Sequence, residues 1–350
     1  MPSRPSPPLR SVWARKVAAV AALLVAANVV LAVSGSSLPE PVTYPTREVQ
    51  LTVERLDAMT AGGCADVLVT GNSVAAEALS AQRLADAWGL RSGVVSVLPG
   101  SIASIDVDWM NRVTLPRADP GTLVYVATPL MFVPEALAEE YGLGIYDRAV
   151  ATRGGWGGDL HRWAVDHVAL ARYRLVLADS EAMVNAARDE LPTTYEEVVA
   201  AAGWELEPDG HIASTGTWTG SQDFLTAIRD ATAIVGSDWR IDTEQADLLR
   251  AQFRRLEAQG RQVVVVIPPV TDDLEQAFPG GLSGFDRYLE TARAVGAGTG
   301  ALTVDLSARD YGDDLFRDTH HLNAQGSARL TAEVAQAGVG RAFPRCDAVG

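Results

Sequence analysis

From residue 66 onward the chain alternates between two hydrophobic patterns. Short apolar runs rich in β-branched residues occupy 66–70, 93–98, 122–127, 262–267 and 302–306, each the length of a buried strand. After them, apolar residues recur at helical spacing over 74–88, 104–113, 243–258, 284–295 and 323–337. Unbroken valines, as in Val263 to Val266, suit a strand buried on both faces, which is the habit of parallel sheets between helices. The expected fold class is α/β, with about five mainly parallel strands covered on both faces.

The alternation fails between the third and fourth strands. Residues 131–240 are too long for one crossover and mostly helical in pattern, so they predict an insertion. Within it, 153–158 is glycine-rich, 161–177 has the pattern of an amphipathic helix, and 208–218 reads as a hairpin or loop. In open α/β sheets ligands bind beyond the carboxyl ends of the strands, and the insertion leaves the third strand at that edge. It is expected either to cap the site or to be a surface elaboration.

Ahead of the body, residues 1–16 are basic, with Arg4, Arg10, Arg15 and Lys16, and 17–33 are apolar apart from Asn28. Seventeen helical residues cover roughly 25 Å, close to the ~30 Å of a bilayer core. The expectation is a single-pass signal anchor with residues 1–16 in the cytoplasm and the rest outside. The alternative is cleavage near Ala32-Val33-Ser34 and secretion. Residues 34–63 read as a linker and a short helix over 47–59, and 64–350 as the folded domain.

A net charge of −15 argues against a nucleic-acid partner. Only Cys64 and Cys346 occur, which excludes multi-thiolate metal sites. The two fall at the same end of the expected sheet, leaving a disulfide and two free thiols as alternatives. His161 and His167 lack the spacing of a helical metal pair, and no phosphate loop is present, so neither metal nor cofactor is expected. Trp156, Trp163, Trp204 and Trp218 suit either sugar stacking or packing.

Two stretches carry candidate chemistry. Gly71-Asn72-Ser73 follows the first strand and opens a helix, where unpaired N–H groups and the peptide dipoles favour an attacking oxygen, or where the serine is simply a cap. Asp318 and His321 lie three apart in Asp318-Thr319-His320-His321-Leu322-Asn323, just before the last helix. A serine nucleophile needs a base and a carboxylate to orient it, and the topology brings both loops to one sheet end.

Together these blocks resemble the SGNH (GDSL-type) hydrolase superfamily, over roughly 64–337 outside the insertion. The resemblance implies a flavodoxin-like three-layer α/β/α fold. It is strongest with the membrane-anchored branch of cell-envelope acylation proteins, and Gly326 extends the match. It implies Ser73 as nucleophile, His321 as general base and acid, and Asp318 as its partner, with His320 as runner-up base. It further implies an oxyanion hole from the Ser73 N–H, Gly100 and, where the family carries Asn after the third strand, Thr128. Asn72 stands where the family usually has Asp. The implied activity is an extracytoplasmic esterase or O-acyltransferase acting on acyl esters of an envelope glycan through an acyl-serine, with a membrane-embedded acyl donor protein as partner if it transfers. The alternative is a non-catalytic polysaccharide-binding or assembly protein that keeps the fold.

Overall fold

The computed structural model of the chain describes residues 9–34, 47–98, 101–133, 168, 194–219 and 240–349. The chain forms two compact units, Met1–Gln50 with Asp147–Pro192 and Leu51–Tyr146 with Thr193–Gly350. In the first unit, helix α1 (Leu9–Ser34) runs 26 residues through the expected anchor, and Val17, Val20, Leu23, Leu24, Val25, Val29 and Val30 are exposed. Among the described residues no helix is long and apolar enough to cross a membrane. The side chains described in α1 are those of residues 16–30, a shorter stretch than the ~20 residues of a span.

Helix α2 (Arg47–Met59) belongs to the second unit from Leu51 onward. The order then runs β1 (Val67–Thr70), α3 (Ser73–Ala78), α4 (Ala81–Ala87), β2 (Gly93–Val95), α5 (Ala103–Trp109), α6 (Leu115–Ala118) and β3 (Thr122–Val126). After the long connection come α7 (Tyr195–Ala201), β4 (Glu205–Leu206), β5 (Ile212–Ala213), α8 (Thr243–Ala258), β6 (Gln262–Ile267), α9 (Asp272–Ala277), α10 (Leu282–Gly296), β7 (Leu302–Asp305) and α11 (Ala324–Ala337). Five strands form one sheet in the order β2-β1-β3-β6-β7, every pair parallel.

Side chains alternate between two cores, as the period of a strand requires. Val67, Val69, Val124, Val126, Val264 and Val266 pack with Leu79 and Leu84 near α4 and with Leu330 of α11. The intervening Leu68, Leu123, Tyr125, Val263 and Val265 are equally buried and face the other way. There Phe253 of α8 meets the Tyr125 ring edge-on at 5.4 Å, and Tyr288 of α10 donates its hydroxyl to the Ala127 carbonyl at 2.9 Å.

All five expected strands are present, whereas three helical expectations need correction. The pattern over 74–88 is two helices, because Leu79 is extended and Ser80 caps α4 by accepting from the Arg83 N–H. Ser80 also donates to Asp209 Oδ2 at 2.8 Å, a partner far along the chain. The helix expected to stop at 113 continues through a π turn, Met110–Thr114, into α6, and the wider turn takes the chain past Pro116. Helix α9 was not anticipated; Thr271 caps it by accepting from the Leu274 N–H, and Asp272 and Asp273 open it.

Residues 194–219 of the expected insertion are built into the body. Tyr195, Val199, Ile212 and Trp218 join the core shared with α3, α4 and α11, and the Val95 N–H at the edge strand donates to the Asp209 carbonyl. Of the hairpin or loop expected over 208–218, the antiparallel β4–β5 pair is the observed form, though it begins earlier, at Glu205, and only β5 falls within that range. The glycine-rich stretch 153–158, the helix expected over 161–177, Trp156, Trp163, His161 and His167 lie outside the described residues.

At the amino ends of the strands, Cys64 and Cys346 form a disulfide across 282 residues. Asp66 beside it accepts the Cys346 N–H at 2.9 Å and a two-pronged bond from Arg91. Burial alone would raise the Asp66 carboxyl, but Arg91 and the N–H donors outweigh it and bring the pKa down to about 2.

Candidate active site

The site begins where β1 ends. Gly71 has φ +142°, and a Cβ there would lie 3.0 Å from the Val126 carbonyl oxygen at the end of β3. Glycine is thus required for the chain to turn this tightly against its neighbouring strand. Asn72 then caps α3, its side-chain oxygen accepting from the Val74 N–H at 3.1 Å. Ser73, the first helical residue, keeps its own N–H without an intrahelical acceptor. Helix α3 has only six residues, so the macrodipole expected from a longer helix is small here and the free N–H is what remains.

His321 and Asp318 come from the loop before α11, which the Phe316–Leu322 bridge closes at its base. The loop wraps around its own carboxylate: Asp318 Oδ1 accepts from the N–H groups of His320 at 3.0 Å and His321 at 2.8 Å. His321 Nδ1 then lies 2.8 Å from Asp318 Oδ2, and His321 Nε2 lies 3.0 Å from Ser73 Oγ. Because a carboxylate only accepts, the network assigns the proton to Nδ1 and leaves Nε2 to accept from the serine hydroxyl. Gly326 in α11 permits this loop to sit close, since a Cβ would come 2.2 Å from the Leu315 carbonyl oxygen. Burial pushes the Asp318 carboxyl up, but the His321 bond and the His320, His321 and Arg317 charges hold it well below the usual carboxylate range.

Two residues that the sequence reading passed over complete the electrostatics. Glu77, one turn after Ser73 on α3 and buried, binds Arg317 through both oxygens, the longer contact being 2.6 Å. Arg317 Nη1 lies 2.7 Å from Asp318 Oδ2, and its guanidinium covers the Trp204 ring at 4.5 Å. Burial lowers the Arg317 pKa, but Glu77 and Asp318 overcome this and raise it. Glu77 Oε1 is itself 3.7 Å from His321 Nε2. The serine's own helix and the histidine's loop are therefore joined by an acid–base–acid chain, Glu77–Arg317–Asp318.

On the other side of Ser73, the Asn72 amide donates to Thr128 Oγ1 at 2.8 Å. The cap fixes which end of the amide is oxygen, so this direction is settled: Thr128 accepts from Asn72 and retains its own proton to donate. Ser73, Thr128 and His320 border one cavity of about 50 Å³. Gly100 lies outside the described residues. His320 stacks beside His321 at 4.0 Å with its Nδ1 on Thr319 Oγ1 at 3.1 Å. Burial and the neighbouring His321 lower its pKa to about 3, and the ring near Ser73 Oγ is that of His321, so the runner-up base does not occupy the basic position.

Asp318, His320 and His321 are a group whose ligating atoms come within 4.8 Å of one another. Both ring nitrogens of His321 are engaged, with Ser73 and Asp318, so a metal would have to displace one of them. Of the tryptophans offered for sugar stacking, Trp218 is buried with its indole N–H on Asp273 Oδ2 at 3.1 Å, and Trp204 lies under Arg317. Both are used in packing.

No family model matches this sequence, and no curated protein matches it.

Proposed function

We propose that this chain is a serine esterase or O-acyltransferase of the SGNH (GDSL-type) kind, with the flavodoxin-like three-layer fold of that superfamily. The observation that carries the reading is the line Ser73 Oγ, His321 Nε2, His321 Nδ1, Asp318 Oδ2, with contacts of 3.0 Å and 2.8 Å. In the proposed reaction Ser73 Oγ attacks the ester carbonyl while His321 Nε2 takes its proton, and Asp318 holds the imidazole and stabilises its positive charge. The Ser73 N–H and the Thr128 hydroxyl face the developing oxyanion, a type of contact worth about 3 kcal/mol per donor. His321 then protonates the leaving alcohol. A water or sugar hydroxyl, deprotonated by the same nitrogen, attacks the acyl-serine and releases the acyl group.

The same reading places the body outside the cell on the α1 anchor, with envelope-glycan O-acyl esters as substrate and, for transfer, a membrane-embedded donor. The Cys64–Cys346 disulfide supports an oxidising compartment, and the exposed valines and leucines of α1 support the anchor. The test is labelling of the full-length chain by a fluorophosphonate, with the modified residue located by mass spectrometry. Modification of Ser73 is expected, together with p-nitrophenyl acetate turnover that Ser73→Ala and His321→Ala abolish. No label and no turnover would transfer the reading to a non-catalytic glycan-binding or assembly protein. Membrane fractionation with N-terminal sequencing tests the anchor, and a mature start near residue 34 would overturn it.

A further inference from the structure

The cavity beside Ser73 is chemically one-sided. Among the described residues its polar groups, Asn72, Ser73, Thr128 and His320, belong to the catalytic line and its neighbours, while the rest of the lining is apolar and includes Leu130, Val270, Leu274 and Phe278. Leu274 and Phe278 belong to or adjoin α9, which the Thr271 cap and the bond from the Thr271 N–H to the Thr319 carbonyl hold against the loop carrying His321. The cavity is thus built from the same elements that position the catalytic line. Among the described residues no lysine, arginine, aspartate or glutamate borders it, and the titratable ring among them, His320, is held neutral with a pKa lowered to about 3.

Resting on the acyl-serine reading, we infer that this cavity receives the acyl chain, and that the acyl group transferred is short, uncharged and apolar, of roughly two to four carbons. An ester bound with its carbonyl at Ser73 and Thr128 must place its alkyl part on the apolar wall. About 50 Å³ accommodates roughly four water-sized atoms at ~10–15 Å³ each. A longer chain overfills the cavity, and interiors resist such overpacking. A succinyl or aminoacyl group would bring a charge into an apolar slot that offers no counter-charge. The acidic side chains nearby, Asp272 and Glu275, line an adjoining polar cleft on the other side of Val270 and not the cavity itself.

The test is the chain-length profile of the full-length protein on p-nitrophenyl acetate, butyrate and octanoate, with p-nitrophenyl succinate and an aminoacyl p-nitrophenyl ester alongside. Expected is a kcat/KM for acetate or butyrate at least about tenfold above that for octanoate and above both charged esters. Leu274→Ala, checked by circular dichroism to be folded, should shift the optimum toward longer chains, and Val270→Phe should narrow it to acetate. Octanoate turned over fastest, or a charged ester preferred, with turnover still lost in Ser73→Ala, would overturn the inference and leave the acyl-serine reading standing. No turnover of any ester would remove both.

Discussion

The described residues hold two serine–histidine–carboxylate groupings, and one of the two has the surroundings proposed for a reactive centre. Beside Ser73, His321 and Asp318 stands a second set, in which His211 Nε2 lies 2.7 Å from Ser327 Oγ and Glu207 Oε2 lies 3.2 Å from His211 Nδ1. Its serine–histidine contact is the shorter of the two, 2.7 Å against 3.0 Å, while its histidine–carboxylate contact is the longer, 3.2 Å against 2.8 Å. It differs in three respects. Ser327 and His211 are each 1% exposed; Ser327 already donates its proton to the Ala78 carbonyl; and Glu207 lacks the alignment of a hydrogen bond to Nδ1. A buried hydroxyl that has given its proton to a helix carbonyl is a structural tie between α11 and His211, the residue before β5. Ser73, by contrast, opens on a cavity with a free N–H and a neighbouring donor. The proposed reactivity rests on what adjoins the serine, namely space, donors and a bidentate carboxylate, rather than on the three residue types.

The largest expected effect separates the two sets. Ser73→Ala should lower kcat by roughly 10⁴-fold or more, while Ser327→Ala should keep ester turnover within about tenfold and cost ~1–3 kcal/mol of stability by leaving the buried His211 nitrogen unpaired. Steady-state kinetics with denaturant unfolding of both variants decides, and equal kinetic losses would erase the contrast. Next is Asn72→Asp, which preserves the cap but turns Thr128 from acceptor to donor, drawing its proton off the oxyanion position. A fall in kcat of about 10²-fold is expected, with Thr128→Val similar and the double variant no worse than either, as residues acting through one bond require. Full additivity would show the two to be unconnected. Glu77→Gln leaves Arg317 buried with half its compensation; a loss of about 3 kcal/mol in stability is expected, together with reduced kcat as Asp318 shifts, measured by thermal melts and kinetics.

The smallest effect concerns Asp106, on the opposite side of the sheet. Burial raises its pKa from 3.8 to about 7, although Ser101 and Tyr125 donate to it at 2.6 Å and 2.9 Å. Its folded form holds a proton that the unfolded chain releases, so stability should fall as pH rises from about 4 to about 7 and level off above. Asp106→Asn should flatten that slope in pH-dependent unfolding, and an unchanged slope would show that the carboxyl is ionised throughout.

Much of the frame was legible in sequence because strands buried on both faces must be written as unbroken β-branched runs, as Val263 to Val266 are. Ser73, Asp318 and His321 were legible because each adjoins a strand or helix boundary that topology brings to one sheet end. The Glu77–Arg317 pair was not, since a glutamate in a helix and an arginine in a loop look like solvated charge. The available signals were faint: Glu77 lies four residues after Ser73 and so shares its helix face, and Arg317 immediately precedes Asp318. The break at Leu79 and Ser80 depends on Asp209, 129 residues away from Ser80, and no local pattern encodes so distant a partner.

The Cys64–Cys346 bond closes nearly the whole second unit into a covalent ring that comes apart into two pieces only when a peptide bond and the disulfide are both broken. A protease cut at any single peptide bond between those cysteines leaves the fragments travelling together on a non-reducing gel and separating once the sulfurs are reduced. The elements carrying Ser73 and His321, near opposite ends of that ring, would stay tethered after such a cut, so in an oxidising, protease-rich setting damage to the long β3–β6 connection need not separate the serine from its base.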